Sequence, residues 1–153
     1  MNAEKDNMAN ESLENNISFS EKVELIEKAI EASHFSYAPY SHYHVGAAIL
    51  TLNAEIYQGC NIENASFGAT NCAERTAIFK AISDGEKEFK ALAIHAVNAK
   101  NEKNYAYPCG ICRQVLAEFC NPDFLIIIAK DKSDYKEYRL SELLPKSFSK
   151  DNL

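Results

Sequence analysis

The sequence has no apolar run that would serve as a signal-peptide core with its flanks, and none approaches the 18 or so residues of a membrane span. A cytoplasmic chain with no membrane partner is the expectation, and the glycosylation-type triplets at Asn10, Asn16 and Asn64 are then chance matches. A basic excess is also missing. The net charge of −6 argues against a chain built around a cationic nucleic-acid footprint. The cysteines do not come in an even number: there are five, which fits a reducing compartment better than a disulfide scaffold. No internal repeat is visible. What remains is a chain of 153 residues, 46% hydrophobic, most simply one domain with a real core.

Residues 1–17 are rich in Asn and Glu without a period and are expected to form a flexible extension, leaving 18–153 as the domain. Ser18 and Glu21 have capping-box spacing, and Val23, Ile26, Ala29, Ile30 and Ser33 recur at helical intervals, which predicts a helix over 19–34. Pro39 lies in the loop that follows. Residues 43–52 and 56–61 read as a hairpin about Asn53-Ala54-Glu55, with Gly46 leaving room for a ligand or a helix to come close. Helices follow at 72–83 and 109–119, strands at 89–99, 124–129 and 135–139, and a short helix at 141–144. Strands with helices between them imply a central sheet covered on its faces.

Two stretches carry the chemistry: Asn71-Cys72-Ala73-Glu74-Arg75 and Pro108-Cys109-Gly110-Ile111-Cys112-Arg113-Gln114. Cys109 and Cys112 are spaced to bring two sulfurs together on one first helical turn, and Cys72 supplies a third if its own helix starts beside theirs. Three thiolates suit zinc, and a lone three-cysteine site is not a usual iron–sulfur pattern. A fourth protein ligand is hard to find, because Cys60 and Cys120 belong to neither stretch and no His lies close in sequence. An open position on zinc is filled by water. Glu74 is near enough to handle that water's protons without being a ligand. It has a structural alternative, since Asn71 and Glu74 are themselves at capping-box spacing.

Cys-Ala-Glu-Arg at 72–75 with Pro-Cys-Gly-Ile-Cys-Arg-Gln at 108–114 resembles the zinc signature of the cytidine deaminase family, in the small form whose three zinc ligands are all cysteines. The resemblance extends through Tyr37-Ala38-Pro39-Tyr40-Ser41, Val45-Gly46-Ala47-Ala48 and Gly59-Cys60-Asn61-Ile62-Glu63-Asn64 to Leu143-Leu144-Pro145 and Phe148, about residues 20–150. It implies a three-layer α/β/α sandwich around a mixed five-stranded sheet. It also implies one Zn²⁺ per subunit on Cys72, Cys109 and Cys112, and hydrolytic deamination of cytidine and 2′-deoxycytidine in pyrimidine salvage. In that chemistry a zinc-activated hydroxide attacks C4 while Glu74 moves protons to N3 and the departing amine.

Three thiolates on Zn²⁺ leave a formal charge of −1, which Arg75 and Arg113 would reduce by donating to the sulfurs; the resemblance gives that role to Arg75. For Arg113 a surface or subunit contact is an equal reading, and Gln114 is expected to brace the site. The resemblance assigns Asn61 and Glu63 to the sugar's 3′ end and the backbone of Ala73 to the pyrimidine edge. Tyr43 stands where the family has Phe against the base. Phe148 would reach into another subunit's site, within a homotetramer. His34, His42, His44 and His95 read as structural or exposed, and Cys60 and Cys120 as small buried hydrophobes. Two other readings compete: a zinc deaminase acting on a deoxycytidylate, a polynucleotide base or a related aminated heterocycle, and a structural zinc module without catalysis.

Overall fold

The computed structural model describes residues 16–153. Helix α1 (Phe19–Ser33) starts at the expected box: the Glu21 amide donates to Ser18 Oγ at 3.2 Å, and the Ser18 amide donates to the Glu21 carboxylate at 2.8 Å. Two of the helix's orphan amides are satisfied in this way. Its buried stripe runs through Leu25, Ile26, Ala29, Ala32 and Ser33, with Val23 and Ile30 at the half-buried margins. Fifteen residues of the expected extension lie outside the described residues. Its last residue, Ile17, is buried against the α1 face of the core.

Strands β1 (His44–Thr51) and β2 (Ile56–Cys60) form the expected hairpin. They are followed by α2 (Ala73–Ser83), β3 (Phe89–Val97), β4 (Lys103–Asn104), α3 (Gly110–Phe119), β5 (Leu125–Ala129), β6 (Tyr135–Arg139) and α4 (Leu140–Leu143). The main sheet runs β2-β1-β3-β5-β6, and the two-residue β4 adds to β3 beside this path. The β3–β5 pair is parallel and the others are antiparallel, so the sheet is mixed. A parallel pair needs a crossover, and α3 lies within the one between β3 and β5.

Successive strand residues face opposite sides, and the core divides accordingly. Val45, Ala47, Ile49, Leu92, Ile94, Ile126 and Ile128 pack against Ala73, Ala77, Ile78 and Ala81 of α2 and Leu116 of α3. Ala48, Leu50, Ala91, Ala93, Leu125 and Ile127 pack on the other face against Leu25, Ile26 and Ala29 of α1. These are the three expected layers. Two glycines allow helices to lie directly on the hairpin. A Cβ at Gly46 would stand 2.0 Å from the Ala29 carbonyl oxygen, and one at Gly59 2.4 Å from the Ala77 amide nitrogen. At Gly46 the close neighbour is therefore helix α1. Among the described residues no helix is long and apolar enough to cross a membrane.

Candidate metal centre and active site

The cysteines meet because two helix starts meet. Cys72 is the N-cap of α2, Cys109 the N-cap of α3, and Cys112 sits in the first turn of α3. Free amides at a helix start create a positive potential that favours thiolates. All three sulfurs lie within 4.8 Å of one another. Zinc–sulfur bonds of about 2.3 Å at tetrahedral angles would separate sulfurs by about 3.8 Å. The Cys72 and Cys109 sulfurs are 3.8 Å apart, so the donor set fits a single zinc. Cys112 is buried, Cys72 half-buried and Cys109 exposed, which gives the cluster one open side. His34, His42, His44, His95, Cys60 and Cys120 are not part of this cluster.

Hydrogen bonding from Cys112 and from Arg75 brings the Cys72 thiol down to about 5, against the opposing effect of burial. The Arg75 Nη2 donates to Cys72 Sγ at 3.4 Å, as expected of a cation beside a thiolate. Burial works against the Arg75 charge, but the sulfurs of Cys72 and Cys112 more than offset it. Its Nε is buried with no hydrogen-bond partner among the described residues.

Glu74 lies in the first turn of α2 and is 4% exposed. The Asn71–Glu74 capping box does not form, since the N-cap is Cys72 and no side-chain cap bond is made, although a hydrogen bond from its own amide acts on the Glu74 carboxylate. Asn71 instead donates from Nδ2 to Thr76 Oγ1 at 3.1 Å, and that hydroxyl donates to the Cys72 carbonyl at 3.1 Å. Burial pushes the Glu74 carboxyl up to about 7, with the Cys72 thiolate adding to the effect. Such a carboxyl both accepts and releases protons near neutral pH. Tyr43 is half-buried, and burial followed by the charge of Glu74 raises its phenol. Ala73, between Cys72 and Glu74, is fully buried.

Segment 61–63 stitches the loop before β1 to the start of α2. Ile62 exchanges backbone hydrogen bonds with Asn71, each 2.9 Å, while the Tyr37 amide donates to the Asn61 carbonyl and the Glu63 amide to the Tyr37 carbonyl. The Asn61 side chain is built into this joint. Its Oδ1 accepts from the Val45 amide at 2.9 Å and from the Ser36 hydroxyl, and its Nδ2 donates to the Tyr43 carbonyl at 2.8 Å. One Nδ2 hydrogen remains. Glu63 Oε1 accepts from the amides of Tyr40 and Ser41 at 3.0 and 3.1 Å, which leaves Oε2 free of partners among the described residues. Ser36 and Thr76 do this positioning without having stood out in the sequence; for Thr76 the signal was its place one helical turn after Cys72.

Arg113 carries two equal readings, a sulfur donor and a surface or subunit contact. Its guanidinium donates to carbonyls rather than to sulfur, with Nε at 2.7 Å from the Pro108 oxygen and Nη1 at 2.6 Å from that of Leu143. A planar fork of donors suits two convergent carbonyls well. Gln114 Nε2 donates to the Phe148 carbonyl at 2.9 Å, and the Phe148 ring is 60% exposed.

The family described as "Cytidine and deoxycytidylate deaminase zinc-binding region" matches residues 19–128, most of the chain. The chain belongs to this deaminase family. A cytidine deaminase of Sporosarcina psychrophila is 48% identical over 129 residues, covering 84% of this chain and 92% of its own. One from Halalkalibacterium halodurans is 45% identical, covering 84% and 95%. In structure, this deaminase-family chain is similar to the crystal structure of cytidine deaminase from Burkholderia pseudomallei, with a TM-score of 0.74 and 40% identity over 81% of this chain and 96% of that one.

Proposed function

We propose that the chain hydrolyses cytidine and 2′-deoxycytidine to uridine and 2′-deoxyuridine, releasing ammonia. The observation that carries this reading is the buried Glu74 carboxyl beside three sulfurs spaced for one metal ion. Cys72, Cys109 and Cys112 would hold a Zn²⁺, which would make a water acidic enough to serve as a nucleophile at neutral pH. Glu74 accepts the two protons of the attacking water in turn, passing the first to ring N3 and the second to the departing amine, which leaves as ammonia. One carboxyl serves both steps because burial holds it near 7. Arg75 withdraws charge from the Cys72 sulfur.

The remaining roles are assigned to side chains with capacity left over. Tyr43 lies against the base, and the backbone of Ala73 reads the pyrimidine edge. The spare N–H of Asn61 donates to a ribose hydroxyl, which in turn donates to Oε2 of Glu63. Arg113 and Gln114 brace the metal helix. Phe148 closes the site of a neighbour in a homotetramer, a reading supported by its exposure and by that of Phe19, Phe35, Tyr37, Phe67 and Ile111. A cytoplasmic location and a domain over 18–153, extended to include Ile17, complete the proposal.

A purely structural metal site would have no need of a buried carboxyl raised toward neutrality. The nucleotide alternative meets an acidic Glu63 at the sugar position, and Arg75 is already committed to sulfur. A dianionic phosphate would be left unpaired there. The test is an ultraviolet assay on cytidine, 2′-deoxycytidine and their 5′-monophosphates, with metal measured on the same sample. The expected result is turnover of the nucleosides, little of the monophosphates, and one zinc per chain. Comparable efficiency on the monophosphates would replace the nucleoside reading with the nucleotide one.

A further inference from the structure

Past Leu144 the chain has little to hold it. Residues 145 and 146 are exposed, Lys146 adopts a left-handed φ of 51°, and Pro145 has no amide to donate. The backbone hydrogen bonds of Asn152 and Leu153 go to Ser149 and Lys150, within the tail itself. Ser149 likewise bonds Asp151 and Asn152. Among the described residues, the one hydrogen bond that fastens this tail to the rest of the domain is from Gln114 Nε2 to the Phe148 carbonyl. Just before the tail, Arg113 holds the Leu143 carbonyl, and its other arm holds the carbonyl of Pro108, the residue before Cys109. Two adjacent side chains following Cys112 thus hold both ends of segment 143–148 and one end of the cysteine loop.

We propose that Arg113 and Gln114 are positioning residues that clamp the C-terminal segment to the metal helix, so that the placement of Phe148 depends on an intact cysteine site. Arg113 sets the exit of α4 relative to the Pro108 carbonyl, and Gln114 fixes the far end of the segment. When the cysteine loop relaxes, the Pro108 carbonyl moves and the Arg113 fork loses one of its two anchors. This rests on the metal site and on the role of Phe148 proposed above.

The test is limited chymotrypsin cleavage after Phe148, read by intact mass, on three samples: the zinc-loaded protein, the zinc-loaded Gln114→Leu protein and the chelator-stripped wild type. Loss of one exposed hydrogen bond predicts cleavage about 2–10-fold faster in Gln114→Leu with unchanged zinc content. Cleavage should also be faster in the stripped wild type. The KM of Gln114→Leu for cytidine should rise several-fold while kcat changes little, a split that general destabilisation would not produce. Cleavage of Gln114→Leu at the wild-type rate would overturn the clamp, and so would a stripped protein cleaved no faster than the loaded one. A wild type that binds no zinc or does not deaminate would instead overturn the proposed function, and the Gln114→Leu cleavage comparison is read independently of that.

Discussion

Each cysteine occupies a different environment, and removing one has consequences that depend on this. Cys109 is the exposed member and the N-cap of α3, with no side-chain capping bond to lose. Cys109→Ala therefore spares the fold while taking away one of three soft ligands. The expected outcome is zinc well below one per chain by elemental analysis, with a circular dichroism spectrum like that of the wild type; undiminished zinc would remove Cys109 from the ligand set. Cys120 makes the contrast. It is half-buried rather than buried, packed at the edge of the core, and desolvation pushes its thiol up to about 12.

At the scale of elements, the two helix–hairpin contacts predict a paired result. Gly46→Ala would force a methyl group into the backbone of α1, and Gly59→Ala would force one into the backbone of α2. In both cases the obstacle is backbone rather than a flexible side-chain tip, so each should cost about 1–3 kcal/mol in denaturant unfolding. They should differ in function, because α1 carries none of the site and α2 carries Cys72 and Glu74. Gly59→Ala is expected to lower kcat and zinc affinity in the folded protein, while Gly46→Ala lowers stability alone. Equal effects on kcat would mean that α2 is not what positions the site.

The elements were legible where the signal is local. The Ser18–Glu21 box and the period that follows it mark α1, and the cysteine spacing marks the two helix starts. β4 went unread because two residues hold no pattern; it exists only because β3 offers an edge. Sequence also cannot say which distant carbonyls converge on a guanidinium. Arg113, next to Cys112 in sequence, reads equally as a sulfur donor and as a surface or subunit contact, and only the fold brings the end of α4 close enough to take one of its donors. For Asn61 the resemblance implies a place at the sugar's 3′ end. Most of its hydrogen-bonding capacity goes instead to the Ser36, Tyr43 and Val45 joint, a tertiary arrangement with no sequence signature.

For the whole molecule, stability should depend on pH through His95. This residue is 2% exposed, with Nδ1 at 3.1 Å from the Ala129 carbonyl. Burial lowers its imidazole below the ordinary 6.5, Lys103 adds to the effect, and the Ala129 carbonyl opposes it. The unfolded chain therefore binds the proton more readily than the folded one. The contribution is fully present above 6.5 and is lost as the pH falls through the unfolded value toward the depressed folded one. The urea midpoint of the wild type should drop more between about pH 7.5 and about pH 5.5 than that of His95→Gln, which has no titrating ring. Equal drops would assign the acid sensitivity to other groups.

Sedimentation should give about four times 17.1 kDa. An excess of Glu74→Gln subunits with intact tails should restore activity to subunits truncated after Leu144 by lending them Phe148. A fully active monomer would contradict the shared site.

The proposed role of Glu74 is to move the protons of a deamination carried out beside a zinc held by three cysteines. It is tested most directly by measuring single-turnover deamination of cytidine by Glu74→Gln, with zinc content determined on the same sample. The amide keeps the shape of the side chain but cannot take up or release a proton, so zinc should remain at one per chain while the rate falls by about 10²–10⁴-fold or more. A zinc-loaded Glu74→Gln protein that turns over cytidine at close to the wild-type rate would show that Glu74 does not move those protons.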